Sequence, residues 1–284
     1  MKIRKNLPLL VVLAIVLVLF AGYRVWKNSA TDITPPVITF DPEVYEISIH
    51  DDPSVMLQGM TVTDDHDGDV TASLMIEKIG VINEDHEFTV TYAAFDAAGN
   101  VRKARRTLRY TDYESPRFTL NQPMLYVYGR EVDIVNRVKA ADIIEGDISH
   151  RIKATAISEA SVSSEGIHDI LFRVTNSMGD TTELIMPAEV YPAGKYNAEL
   201  LLTEYLTYIP VGESFEEKEY LHFFKNNITS VSLGSALPPA YHLTTRGNVD
   251  TSTPGVYPVA YTLTYTVDGF TYTAYSKLIV IVEG

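Results

Sequence analysis

The sequence predicts an all-β chain of three tandem β-sandwich domains behind one N-terminal transmembrane helix. Three observations carry this. An uncharged run opens the chain from Leu7 to Gly22. From Thr34 onward, apolar residues alternate with polar ones at the period of two that a half-buried strand requires, between Gly, Asp, Asn and Pro turns. An acidic glycine turn, Asp67-Gly68-Asp69-Val70-Thr71, returns 78 residues later as Glu145-Gly146-Asp147-Ile148-Ser149.

The uncharged run is sixteen residues long. With Tyr23, Val25 and Trp26 it reaches residue 26 and approaches the ~20 residues that cross a hydrocarbon core. A helix is the one form in which a single such segment satisfies its backbone in lipid. Lys2, Arg4 and Lys5 precede the run, which favours a cytoplasmic N-terminus. Tyr23, Arg24, Trp26 and Lys27 then fall at the outer membrane interface. A cleaved signal peptide is the competing reading. Under either one, residues 31–284 leave the cytoplasm, and residues 1–30 hold only a short tail and the apolar segment.

The remaining elements follow in order. Phe88, Val90, Tyr92 and Ala94 share one strand face, as do Ile170, Phe172 and Val174, and later Tyr257, Val259, Tyr261, Leu263, Tyr265 and Val267. Each strand runs into a glycine turn, at Gly99, Gly179 and Gly269, and a closing strand follows. The units are therefore residues 34–111, 114–192 and a diverged 195–284, each about the size of a seven-stranded sandwich. Short Pro-containing linkers between them predict a semi-rigid rod. Phe215–Phe224 predicts a short helical turn.

The first unit carries a family likeness. Thr34-Pro35-Pro36-Val37-Ile38, Val62-Thr63-Asp64-Asp65-His66-Asp67-Gly68-Asp69-Val70-Thr71, Phe88-Thr89-Val90-Thr91-Tyr92 and Phe95-Asp96-Ala97-Ala98-Gly99-Asn100 together resemble the bacterial immunoglobulin-like domain of surface proteins. That domain, of unknown function, is also met as an accessory module in crystal toxins and secreted hydrolases. The second unit departs from it at Thr175-Asn176-Ser177-Met178, and the third lacks the acidic glycine turn. The resemblance implies immunoglobulin-like (Ig-like) sandwiches in an exported spacer or binding role, with no shared catalytic residue.

Composition narrows the chemistry. The first 30 residues hold five basic residues and no acid, leaving 18 basic against 37 acidic residues beyond them, a net charge of −19. Nucleic acid is therefore not an expected partner. Cysteine is absent, which excludes disulfides and thiolate metal sites or catalysis. No histidine pair, nucleophile elbow or phosphate-cradling glycine loop occurs, so the sequence predicts no enzyme and no cofactor.

The sharpest polar cluster is Asp64, Asp65, Asp67 and Asp69, a candidate calcium site because that ion takes six to eight oxygens, roughly as many as several carboxylates and water supply. The competing reading is a tight turn in which Asp side chains cap backbone N–H groups. Arg102, Lys103, Arg105, Arg106 and Arg109 form a candidate partner-binding strip, or a charged edge strand that discourages aggregation. Ten of the eighteen tyrosines lie in the third unit, where Tyr257, Tyr261 and Tyr265 alternate in phase with core residues. Tyr272 and Tyr275 fall on opposite faces of their strand.

The expectation is a single-pass membrane protein, held in the bilayer by residues 7–26, whose extracellular rod binds an envelope or host protein or glycan, or acts as a spacer presenting a binding surface. The alternative is a structural subunit of an envelope assembly or secretion complex.

Overall fold

The computed structural model describes residues 7–29, 32–41, 43–130, 133–157, 164–234 and 236–284. Contacts divide the chain into two compact units, Met1–Tyr113 and Glu114–Gly284.

The first unit begins with α1 (Leu7–Ser29). Pro8 falls in its first turn, where a missing N–H costs nothing because that donor has no intrahelical partner. The side chains described on α1 are those of residues 11–24, and all are exposed. Among the described residues no helix is long and apolar enough to cross a membrane. The transmembrane expectation is thus corrected to a coarser statement: residues 7–29 are helical, and the described side chains from Val11 to Tyr23 are uncharged and exposed. The side chains of Trp26 and Lys27 lie outside the described residues.

Seven strands follow in the first unit: β1 (Val37–Thr39), β2 (Tyr45–Ile47), β3 (Thr61–Asp64), β4 (Gly68–Asp69), β5 (Met75–Ile79), β6 (Glu87–Phe95) and β7 (Val101–Tyr110). They form two sheets, β1-β3-β4 and β2-β7-β6-β5. All pairs are antiparallel except β2 with β7, which run parallel over Tyr45↔Leu108 to Ile47↔Tyr110. Val62 from one sheet and Phe88, Val90, Tyr92, Ala94 and Leu108 from the other are buried, as the alternation predicts.

The second unit repeats this plan and then departs from it. Strands β8 (Arg117–Leu120), β9 (Leu125–Val127), β10 (Val138–Asp142), β11 (Gly146–Asp147), β12 (Lys153–Ala156), β13 (Gly166–Thr175) and β14 (Thr181–Tyr191) form sheets β8-β10-β11 and β9-β14-β13-β12. The β9–β14 pair is again parallel. Phe118 meets Phe172 edge-on at 6.5 Å across this core. Gly68 and Gly146 occupy one position of the repeat and take φ of 76° and 74°, a left-handed turn that a side chain would strain.

The last seven strands are β15 (Ala198–Leu202), β16 (Leu206–Pro210), β17 (Leu221–Lys225), β18 (Ser230–Ser232), β19 (Tyr241–Arg246), β20 (Gly255–Val267) and β21 (Phe270–Glu283). They join in one sheet, ordered β18-β17-β15-β21-β20-β19, with β16 also on β21. The cause is the length of β21. Its fourteen residues carry β15 at Ala274–Tyr275 and β16 at Ile279–Glu283 along one edge, welding two sheets together. The helical turn predicted in Phe215–Phe224 is a short 3-10 turn, Glu217–Tyr220, before β17.

Buried side chains from Phe118 to Val282 form one continuous cluster. Tyr208 of β16 reaches across within it. Its hydroxyl accepts from Phe118 N–H at 3.0 Å and donates to Phe118 C=O at 3.1 Å, and burial pushes its pKa up to about 12. The architecture is all-β with sandwich-like sheets, into which a tandem Ig-like arrangement fits.

Candidate functional site

Of the two readings of the acidic turn, the hydrogen bonds fit the tight turn capped by its own Asp side chains, and the four carboxylates do not gather. Asp64 ends β3 and is buried, whereas Asp65, Asp67 and Asp69 are exposed. Asp64 Oδ1 accepts from the N–H groups of His66 (2.9 Å) and Asp67 (3.0 Å), closing the turn. Asp67 Oδ2 accepts from Ala97 N–H at 2.7 Å, and Asp69 Oδ1 from Thr71 N–H at 2.9 Å. The hydroxyl and N–H of Thr71 hold the Asp69 carboxyl below its usual range.

Asp64 comes together with different partners. One carboxylate oxygen from each of Asp32, Asp64 and Asp96 lies within 4.8 Å of the other two. Asp32 precedes the Pro35-Pro36 pair that leads into β1, and Asp96 follows β6. Asp96 accepts from the Asn100 N–H (2.7 Å) and side-chain amide (2.8 Å). Burial raises the Asp96 pKa, and the bonds from Asn100, Gly99 and Ala98 outweigh it, so that it sits below the ordinary value. Asp32 Oδ2 and Asp64 Oδ2 are buried with no hydrogen-bond partner. Asp32 escaped the sequence reading because each member of this trio lies 32 positions along the chain from the next.

The cationic strip divides into one buried arginine and four cations that reach the surface. Arg106 points inward and is 4% exposed, its guanidinium 3.9 Å from the Tyr45 ring and donating to Gln58 C=O at 2.8 Å. Lys103 is paired with Glu77, and Arg109 with Glu87 and Glu46. Arg102 and Arg105 are exposed. β7 is also not an edge strand throughout: β2 covers Leu108–Tyr110, so only its first part has an open side. At the other proposed contact, Tyr23 and Arg24 are exposed on α1, with the Arg24 guanidinium 5.8 Å from the Phe20 ring.

The second unit holds a groove of about 530 Å³ where the outer face of β13–β14 meets β20–β21. Ile167, Ile185, Pro187, Val256 and Pro258 line it. Ile167 is 65% exposed and Ile185 47%. At its polar end Lys277, 5% exposed, lies 2.9 Å from Glu189 Oε2, which also accepts from the Tyr275 hydroxyl at 2.8 Å. Burial raises the Glu189 pKa; the Lys277 ammonium and the Tyr275 hydroxyl outweigh it and hold the carboxyl below its usual range. Burial, and then the hydrogen-bonded Glu189, push the Tyr275 phenol upward. A lysine heading the apolar run Leu278–Val282 is the signal in the sequence that could have marked this place.

The tyrosines divide as their phase predicts. Tyr261 is fully buried, and Tyr257 and Tyr265 are partly buried against the core. Tyr272 stacks on Tyr265, and Tyr275 stacks on Tyr196 at 4.8 Å.

No protein-family model and no curated protein matches the chain. Among solved structures it is similar to Drosophila N-cadherin EC1-4 (11% identity, 90% of this chain and 76% of that one, TM-score 0.25). It is similar also to mouse Cadherin-23 EC22-24 (11% identity, 88% of this chain and 99% of that one, TM-score 0.23). A third likeness is to the structure of CBM51-2 in complex with GlcNAc and INT domains from Clostridium perfringens ZmpB (13% identity, 88% of this chain, 44% of that one, TM-score 0.23). At such TM-scores these overlaps bring no function to this chain.

Proposed function

We propose that this chain is an exported, adhesion- or binding-type protein of tandem Ig-like modules that acts by contact and not by catalysis, on a protein or glycan outside the cell. The observation that supports it is the groove beside β13 and β20: exposed apolar walls with a satisfied ion pair at one end are the ordinary composition of a recognition site. The first unit's motifs support membership of the bacterial Ig-like family of surface proteins. The location that goes with this reading is the cell surface, with the strand-built modules outside the cell. It rests on the uncharged run of the sequence, and on an exposed apolar helix needing lipid or another protein to cover it.

Two measurements test the proposal. Fractionation of cells expressing the full chain should recover it in membranes, with residues beyond 32 open to added protease; recovery from cytosol contradicts the location. Purified protein on arrays of envelope and host glycans and of envelope proteins should give saturable binding, and binding to none contradicts the function.

A further inference from the structure

The two Ig-like repeats that share a sheet order solve one electrostatic problem in two ways. Strand pairing sets the equivalence: β1 and β3 pair at Val37↔Thr63, and β8 and β10 at Arg117↔Ala141. Asp142 stands where Asp64 stands, and it takes N–H groups from Ile144 (2.9 Å) and Glu145 (2.8 Å) as Asp64 does from His66 and Asp67. Asn176 stands where Asp96 stands, at the end of the long strand, accepting the N–H four residues on, as Asp96 does. In the second repeat the Asn176 amide donates to Asp142 Oδ2 at 2.8 Å, and the buried carboxylate is satisfied. In the first repeat the corresponding residue is a carboxylate, which has no proton to give at neutral pH. Asp64, 9% exposed, keeps an Oδ2 that is buried and unpartnered. Asp32 adds a third carboxylate whose Oδ2 is in the same condition. Its counterpart in the next repeat, Asp112, instead accepts from Ser48 and Ile49.

Three buried or half-buried carboxylates are costly without a compensating charge, because desolvation and mutual repulsion add. Two oxygens bound to one calcium at ~2.4 Å are at most ~4.8 Å apart, and the trio meets that limit. All its donors are hard oxygens, with the remaining positions left to water. We propose that Asp32, Asp64 and Asp96 form a divalent-cation site for calcium that fastens the segment leading into β1 to the turns after β3 and β6. Asn176 replaces that ion in the second repeat.

The test uses the full chain, chelated and then titrated with calcium chloride alone, with heat of binding and thermal unfolding as readouts. Wild-type protein should bind saturably, one ion per chain. Its unfolding midpoint should rise by several degrees at about 2 mM calcium, within the range in which extracellular modules bind this ion. Asp96→Asn copies the second repeat. It should unfold at a higher temperature than the chelated wild type and lose the calcium shift. Asp32→Ala should weaken calcium binding at least tenfold without the gain in the chelated form. A midpoint unmoved by calcium, an Asp96→Asn protein that keeps the full shift, or stabilisation by mild acid in place of calcium overturns the proposal.

Discussion

Asn176 donates its side-chain amide to Asp142 Oδ2 at 2.8 Å, inside the turn end of the second sandwich. Both residues are buried, at 5% and 4% exposure, so this bond decides whether a carboxylate is tolerable there. Replacing Asn176 with Asp keeps the oxygen that accepts from Asp180 N–H and exchanges only the amide for a second carboxylate. The expected cost is about 3 kcal/mol, the value for leaving a buried charged group unpaired. Urea unfolding of the chelated protein checks it, and unchanged stability contradicts the assigned role.

Glu145 and Arg151 give a pH dependence with a definite sign. The Arg151 guanidinium meets both carboxylate oxygens, at 3.1 and 2.7 Å, and with the Ser177 N–H it holds the Glu145 carboxyl down at about 2. A lowered folded-state pKa contributes stability that is whole above the unfolded value. That contribution is lost as pH falls from about 4.5 through about 2. Glu145→Gln should therefore flatten the stability profile in that window. Above it the substitution should cost about 1 kcal/mol, since the pair is partly solvated. Chemical unfolding at stepped pH reads both.

Lys277 and Glu189 form the buried ion pair at the end of the groove, and breaking it should cost more than exchanging it. Lys277→Met leaves Glu189 and the Tyr275 hydroxyl facing each other without a cation, at about 3–5 kcal/mol. Adding Glu189→Met should recover most of that loss. A double-mutant cycle by urea unfolding measures the coupling, and additive losses contradict it.

Gly247 closes β19 with φ of 137°, and a Cβ built there would lie 2.5 Å from the Pro258 carbonyl oxygen. Gly247→Ala should destabilise the second unit by about 2 kcal/mol or more, through backbone strain and the clash with β20 together. Thermal unfolding against wild type is the measurement.

The sequence made the strand faces legible because a period of two leaves little choice once one face is buried. Phe88, Val90, Tyr92 and Ala94 follow that rule, and so do Ile170, Phe172 and Val174. The same parity placed Arg106 with Leu108 and Tyr110 on the inner face of β7, so its separation from Lys103, Arg105 and Arg109 was readable and went unread. What alternation does not encode is which strands share an edge. The single sheet of the last seven strands depends on β21 being long enough to pair with β15 and β16 in succession. The acidic trio was hidden for a related reason. Asp64 was visible in its turn, but Asp32 and Asp96 reach it only once β1 has paired with β3 and the two sheets of the folded unit bring the turn after β6 to the end of β3. The groove likewise joins residues from 167 to 277, a separation at which no motif operates.

The claim on which the functional account turns is that the groove beside β13 and β20 is a contact surface. Binding of the labelled full chain to intact cell envelopes, compared with an Ile167→Glu/Ile185→Glu chain that unfolds at the same temperature, tests it most directly. The account predicts saturable binding by the wild type and at least a tenfold loss in the variant. Equal binding by both, or none by either, would contradict it.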